Sequence, residues 1–71
     1  MKDYIINKLK DSIELLRGDY AQNWVAKEYN LTVEGDEAKK QVDSADLNMQ
    51  NILTKILWFE NKLKEAKEKD L

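Results

Sequence analysis

The chain has 71 residues, with 14 acidic and 12 basic side chains and a net charge of −2, and it contains neither cysteine nor histidine. The missing cysteines exclude disulfides and sulfur-ligated metal sites, and the missing histidines remove the usual general base near neutral pH and the commonest metal ligand. We therefore expect no enzymatic activity and no cofactor. We expect self-association instead, since a domain this small hides only about 60% of its unfolded surface.

The first predicted element is a helix over residues 3–17. Its apolar side chains recur at steps of three and four, the spacing that places them on one face of a helix. They are Ile6, Leu9, Ile13 and Leu16. Asp3 is a preferred N-cap residue type, and Gly18 is the residue type that most often closes a helix. The helix is therefore expected to end before Gly18.

The next predicted element is a short helix over residues 19–29. Asp19 and Gln22 have the spacing of a capping box, in which two side chains satisfy backbone amides at the start of a helix. One continuous helix that bends at Gly18 is the alternative, because a helical glycine costs only about 1 kcal/mol relative to alanine. Residues 30–36 follow as a loop, since they contain a glycine and helix-capping residue types.

A long helix is predicted over residues 37–68. Its apolar residues recur at alternating steps of four and three, the heptad spacing of coiled coils and helical bundles. These residues, which we call the seam, are Ala38, Val42, Ala45, Met49, Ile52, Ile56, Phe59, Leu63 and Ala66. Poor helix formers cluster at residues 43–46 and favour a kink there.

The pattern predicts an all-α fold: two short helices plus one long C-terminal helix, arranged as a helical hairpin or a three-helix bundle that oligomerises through the long helix. Two arrangements stay open, because the first two helices either cover the whole seam in a monomer or share it with a second copy in a homodimer or larger oligomer. The predicted core and self-association residues are Val42, Met49, Ile52, Leu53, Ile56, Leu57, Phe59 and Leu63.

A second stripe, which we call the outer strip, follows the opposite side of the same helix. It is almost uncharged and has a tryptophan near its centre, and tryptophan is among the residue types that most often anchor protein interfaces. The predicted partner-binding residues are Leu47, Asn51, Thr54, Trp58 and Asn61. The alternative is that Trp58 and Leu47 pack against the second helix or the loop.

These features predict a non-enzymatic protein-interaction module that self-associates and binds or blocks an unidentified partner protein. One alternative is an acidic inhibitor of a host enzyme or of a nucleic-acid-binding complex, in which Asp36, Glu37, Asp43 and Asp46 imitate phosphate charge. The composition, rich in lysine, asparagine and isoleucine, is associated with the small helical acidic proteins of phages and mobile elements.

A helix-turn-helix DNA-binding regulator is the other alternative. Residues 24–32 have a likeness to the first helix and turn of such motifs. However, residues 33–37, which would begin the recognition helix, are acidic, whereas base readout uses arginine, lysine, asparagine or glutamine. Since Arg17 is also the only arginine in the chain, we do not expect a nucleic-acid partner.

Membrane binding is not expected either. The longest apolar-rich run, residues 52–59, is far shorter than the roughly 20 residues needed to span a bilayer. Glutamates among the C-terminal lysines offset the attraction to anionic lipid. Charged residues interrupt the apolar residues at the N-terminus, which argues against a signal peptide, so we expect a cytoplasmic protein.

Overall fold

A computed structural model of the protein describes residues 1–69 and consists of two antiparallel helices that form a hairpin. Helix α1 covers Lys2–Leu31 and helix α2 covers Asp36–Glu68. The hairpin is a thin rod that measures 55 × 14 × 11 Å. Residues 1–69 contain no strand, and the prediction of an all-α fold is confirmed.

The prediction of two short helices over residues 3–17 and 19–29 is wrong, and so is the three-helix bundle built on it. Helix α1 continues without a break through Gly18 and, with 30 residues, is nearly as long as the 33-residue α2. The residues that α1 turns toward α2 keep one heptad spacing across Gly18: Ile13, Leu16, Tyr20, Asn23 and Lys27. Contacts with α2 on both sides of Gly18 offset the low helix propensity of this one residue.

The connection between the helices is shorter than the predicted loop of residues 30–36. The hydroxyl of Thr32 donates a hydrogen bond to the backbone oxygen of Tyr29 (2.6 Å) at the end of α1. Gly35 has φ 118° and ψ 163°, a conformation that is essentially restricted to glycine, and α2 begins at the next residue. Helix α2 is continuous through residues 43–46, where Ala45 is buried.

The core lies between the two helices and is small. Its buried residues are Ile13, Ala38, Ala45, Met49, Ile56 and Ala66, and none of residues 1–69 has a side chain less than 2% exposed. All nine seam residues are buried or half-buried, because α1 lies along the seam. Helix α1 therefore lies along the face for which two arrangements were open, one with the first two helices alone and one with those helices and a second copy.

The interface between the helices differs in character along its length. In the half away from the loop, α1 contributes Ile6, Leu9, Ile13 and Leu16. In the half next to the loop, α1 contributes the half-buried polar residues Asn23, Lys27 and Asn30, and α2 contributes two buried alanines. Most of the apolar burial is therefore concentrated in the half away from the loop.

Candidate interaction surfaces

The predicted self-association residues divide into two groups in the structure. Met49 and Ile56 are buried, and four more are half-buried beside α1: Val42, Ile52, Phe59 and Leu63. Leu53 and Leu57 are different, because they remain 47% and 55% exposed. The seam residues thus pack against α1 inside the hairpin. Leu53 and Leu57 are the members of the predicted set that stay accessible to another molecule.

The predicted partner-binding residues follow one side of α2, and Trp58 among them also lines a depression together with Ile5 and Leu9 of α1. Leu47, Asn51, Thr54, Trp58 and Asn61 are all exposed. The indole of Trp58 packs edge-on against the ring of Phe59, with centroids 5.0 Å apart, and the ammonium of Lys62 lies 5.4 Å from the indole centroid. Trp58 therefore contacts Phe59 and Lys62 within α2 and borders α1, and 55% of it stays exposed.

A surface that the sequence analysis did not identify spans both helices on one side of the hairpin. Tyr20 and Leu53 line the same two neighbouring depressions, and Trp24 lines one of them. Leu57 follows Leu53 by one helical turn and extends the same side of α2. We call these four residues the cross-helix patch. Their apolar character is visible in the sequence, but their proximity depends on the register between α1 and α2.

Two interhelical ion pairs lie at the ends of the cross-helix patch. At one end Arg17 Nη2 lies 3.2 Å from Glu60 Oε1, and these residues line a depression together with Tyr20 and Leu53. At the other end Lys27 Nζ lies 2.7 Å from Asp46 Oδ1, in the depression that Trp24 also lines. At each of these two ends, one positive and one negative side chain are therefore paired.

The Asp46 carboxylate raises the pKa of Lys27, first through the hydrogen bond that it accepts and then through its negative charge. Asp46 is thus engaged within the chain, whereas Asp36, Glu37 and Asp43 are exposed.

In the described part of the chain, acidic side chains form no group of three that could hold a metal ion. The same residues include no helix with an apolar stretch long enough to cross a membrane.

Together these features define the chain as a two-helix hairpin with exposed apolar surface. Comparison with protein-family models, curated proteins and solved structures finds no match. A helical hairpin occurs in many functional contexts and does not indicate a function by itself. The functional proposal therefore depends on the residues that the hairpin exposes.

Proposed function

We propose that this protein is a non-enzymatic protein-interaction module that associates with a second copy of itself and offers the outer strip to a partner protein. The observation that carries this proposal is the amount of apolar surface that the hairpin leaves open. Large apolar side chains that are more than 45% exposed occur along both helices: Tyr4, Leu15, Trp24, Val25, Tyr29, Leu31, Leu47, Leu53, Leu57 and Trp58.

The small core supports this proposal energetically. Three of the six buried residues are alanines, and each methyl or methylene group buried contributes only about 0.8 kcal/mol. A single core in a domain below about 70–80 residues rarely supplies more than about 3–5 kcal/mol. Packing against further helices, as in a four-helix bundle, would bury exposed apolar side chains and stabilise the hairpin.

Solution mass tests the self-association. Light scattering behind a sizing column, over a wide range of concentrations, is expected to give at least twice the 8.4 kDa of one chain, with dissociation on dilution. A constant mass of one chain up to the highest concentration would contradict the self-association. It would not affect the second part of the proposal, which concerns the outer strip.

The outer strip favours a partner that brings uncharged polar and apolar side chains. Trp58 is the anchor, and the amides of Asn51 and Asn61 lie along the same stripe. These amides require hydrogen-bond partners when they are covered, so a purely apolar partner surface would leave them unsatisfied. A helix with asparagine, glutamine or serine beside one apolar pocket would meet this requirement.

Site-specific photo-crosslinking in the cells that make the protein tests the outer strip. A photoreactive residue in place of Asn61 is expected to give one discrete adduct with a different protein, and Trp58→Ala should abolish it. A photoreactive residue in place of Leu15, which is 73% exposed on α1, is the matched control. The same adducts from both positions would contradict a partner site on the outer strip.

A further inference from the structure

We propose that the second copy docks on the cross-helix patch, with the loops of the two hairpins at the same end of a four-helix bundle. This inference rests on the proposed self-association and specifies its surface and direction. It differs from the interface that the heptad pattern suggests, because α1 of the same chain already covers the seam.

The composition of the cross-helix patch makes it a better self-association surface than the outer strip. Its four residues are all aromatic or aliphatic, and they come from both helices, whereas three of the five outer-strip residues carry polar side chains. The hydroxyl of Tyr20 and the indole N–H of Trp24 are polar groups at the ends of large apolar side chains, and such groups readily find partners at the rim of an interface. Covering the patch therefore removes apolar surface from water with few polar groups to satisfy.

The bordering charges also favour burial of this patch. The Arg17–Glu60 and Lys27–Asp46 pairs are already formed within one chain, so a second copy does not leave a lone charge at the edge of the interface. Each border carries one positive and one negative group on different helices. This arrangement allows a second copy to meet each charge with its opposite.

The direction of docking follows from which charges face each other. When the loops of two hairpins lie at the same end, α1 of one copy lies over α2 of the other, and the two-fold axis is parallel to the helices. Arg17 then faces the partner's Glu60, and Lys27 faces the partner's Asp46. In the reversed arrangement α1 lies over α1, so Arg17 faces the partner's Lys27 and Glu60 faces the partner's Asp46. Like charges in direct opposition are unfavourable, which disfavours the reversed arrangement.

Exposed charges near the loops oppose the proposed direction, but more weakly than the charges at the border of the patch favour it. Glu34, Asp36 and Glu37 lie at the tip of the hairpin, and two tips at the same end repel each other. These residues are exposed, and the Debye length at physiological salt is only about 8 Å, so salt weakens their repulsion. Partly covered pairs at the border of an interface are screened much less, so their contribution persists.

The surface is tested first by a pair of matched variants. Leu53→Lys is expected to weaken self-association at least about 100-fold, because two-fold symmetry removes two buried leucines for each dimer. Leu47→Lys is the control, since Leu47 is 59% exposed on the outer side of the same helix and should leave the association unchanged. Leu57→Lys provides a second patch variant, and circular dichroism establishes that each variant stays helical. Equal weakening by the Leu47 and Leu53 variants would overturn the proposal.

The direction is tested by distances between spin labels in the otherwise unchanged dimer. The chain has no native cysteine, so Glu34→Cys and Leu47→Cys each provide one unique labelling position. Helices in bundles pack about 8–10 Å apart, so labels at position 34 are expected within about 25 Å of each other. Labels at position 47 point outward from diagonally opposed helices and are expected more than about 30 Å apart.

The outcomes separate this inference from the proposed function. A distance of about 40 Å at position 34 would show the reversed arrangement and overturn the proposed direction, because roughly twelve residues of about 1.5 Å each separate position 34 from the middle of the patch in each copy. A short distance at position 47 would place the interface on the outer strip and overturn the proposed surface. In both cases self-association itself would stand. A protein that is monomeric at all concentrations would overturn this inference together with the proposed self-association, and the outer-strip part of the proposed function would stand.

Discussion

Lys27 of α1 and Asp46 of α2 form an ion pair between the helices, with Nζ 2.7 Å from Oδ1. Asn48 donates a side-chain hydrogen bond to the side-chain oxygen of Asn23 (3.1 Å) in the same part of the hairpin. Lys27 occupies a position of α1 that faces α2, where the half away from the loop has isoleucine or leucine. Polar contacts therefore replace apolar packing next to the loop and favour one antiparallel register.

This ion pair predicts a shift in the titration of Lys27. Asp46 raises the pKa of Lys27 above the ordinary lysine value of 10.5, mainly by accepting its hydrogen bond. A raised pKa in the folded state means that the stabilising contribution is fully present below pH 10.5 and is lost as the pH rises through the folded-state pKa. NMR titration of the lysine side chain should give a lower pKa for Lys27 in Asp46→Asn than in the unchanged protein. An unchanged pKa for Lys27 would show that the ion pair does not form in solution.

Replacement of Gly18 tests the continuity of α1. Apart from the neighbouring residues and the local backbone of α1, no atom lies within 4 Å of the position that a Cβ on Gly18 would take, and the residue is helical. Gly18→Ala is therefore expected to raise the free energy of unfolding by about 0.5–1 kcal/mol, measured by urea denaturation at fixed protein concentration. Gly35→Ala is the contrasting variant, since its φ of 118° is strained for alanine, and it should lower stability by about 1–3 kcal/mol. A loss of stability in Gly18→Ala would indicate that the chain breaks there.

Truncation of Ile56 tests the placement of the seam. Ile56 is 7% exposed between the helices, and Ile56→Ala is expected to lower the free energy of unfolding by about 2–5 kcal/mol. Leu47→Ala removes a similar side chain from the outer side of α2, so its effect should stay within about 0.5 kcal/mol. Chemical denaturation of both variants, at one protein concentration, measures the difference. Similar losses in the two variants would contradict the observed orientation of α2.

The two halves of the hairpin should differ in local stability. Small and polar residues meet next to the loop, whereas isoleucine, leucine and phenylalanine meet in the other half. Native-state hydrogen exchange is therefore expected to be faster for the amides around Ala45 than for those around Ile56, because opening the loop half exposes less apolar surface. Equal protection of both regions would mean that the hairpin opens only as a whole.

The helical class of this protein was predictable from the sequence because it depends on local spacing. Heptad steps in both halves of the chain place apolar residues on one side of a helix, whatever the rest of the molecule does. The prediction failed at Gly18, where a helix-ending residue type lies within a helix. Local propensity is worth about 1 kcal/mol per residue at such a position, and contacts from the rest of the molecule override it.

By itself the sequence determined that the chain is helical and which residues of α2 form one apolar stripe, since both follow from the 3.6-residue period of a helix. Only the tertiary structure decided that α1 is a single helix that covers the whole stripe. It also decided that Tyr20 and Trp24 lie beside Leu53, between two ion pairs that join the helices. These are relationships between residues that are far apart in the chain. They depend on the register of one helix against the other, which the packing of the whole interface determines.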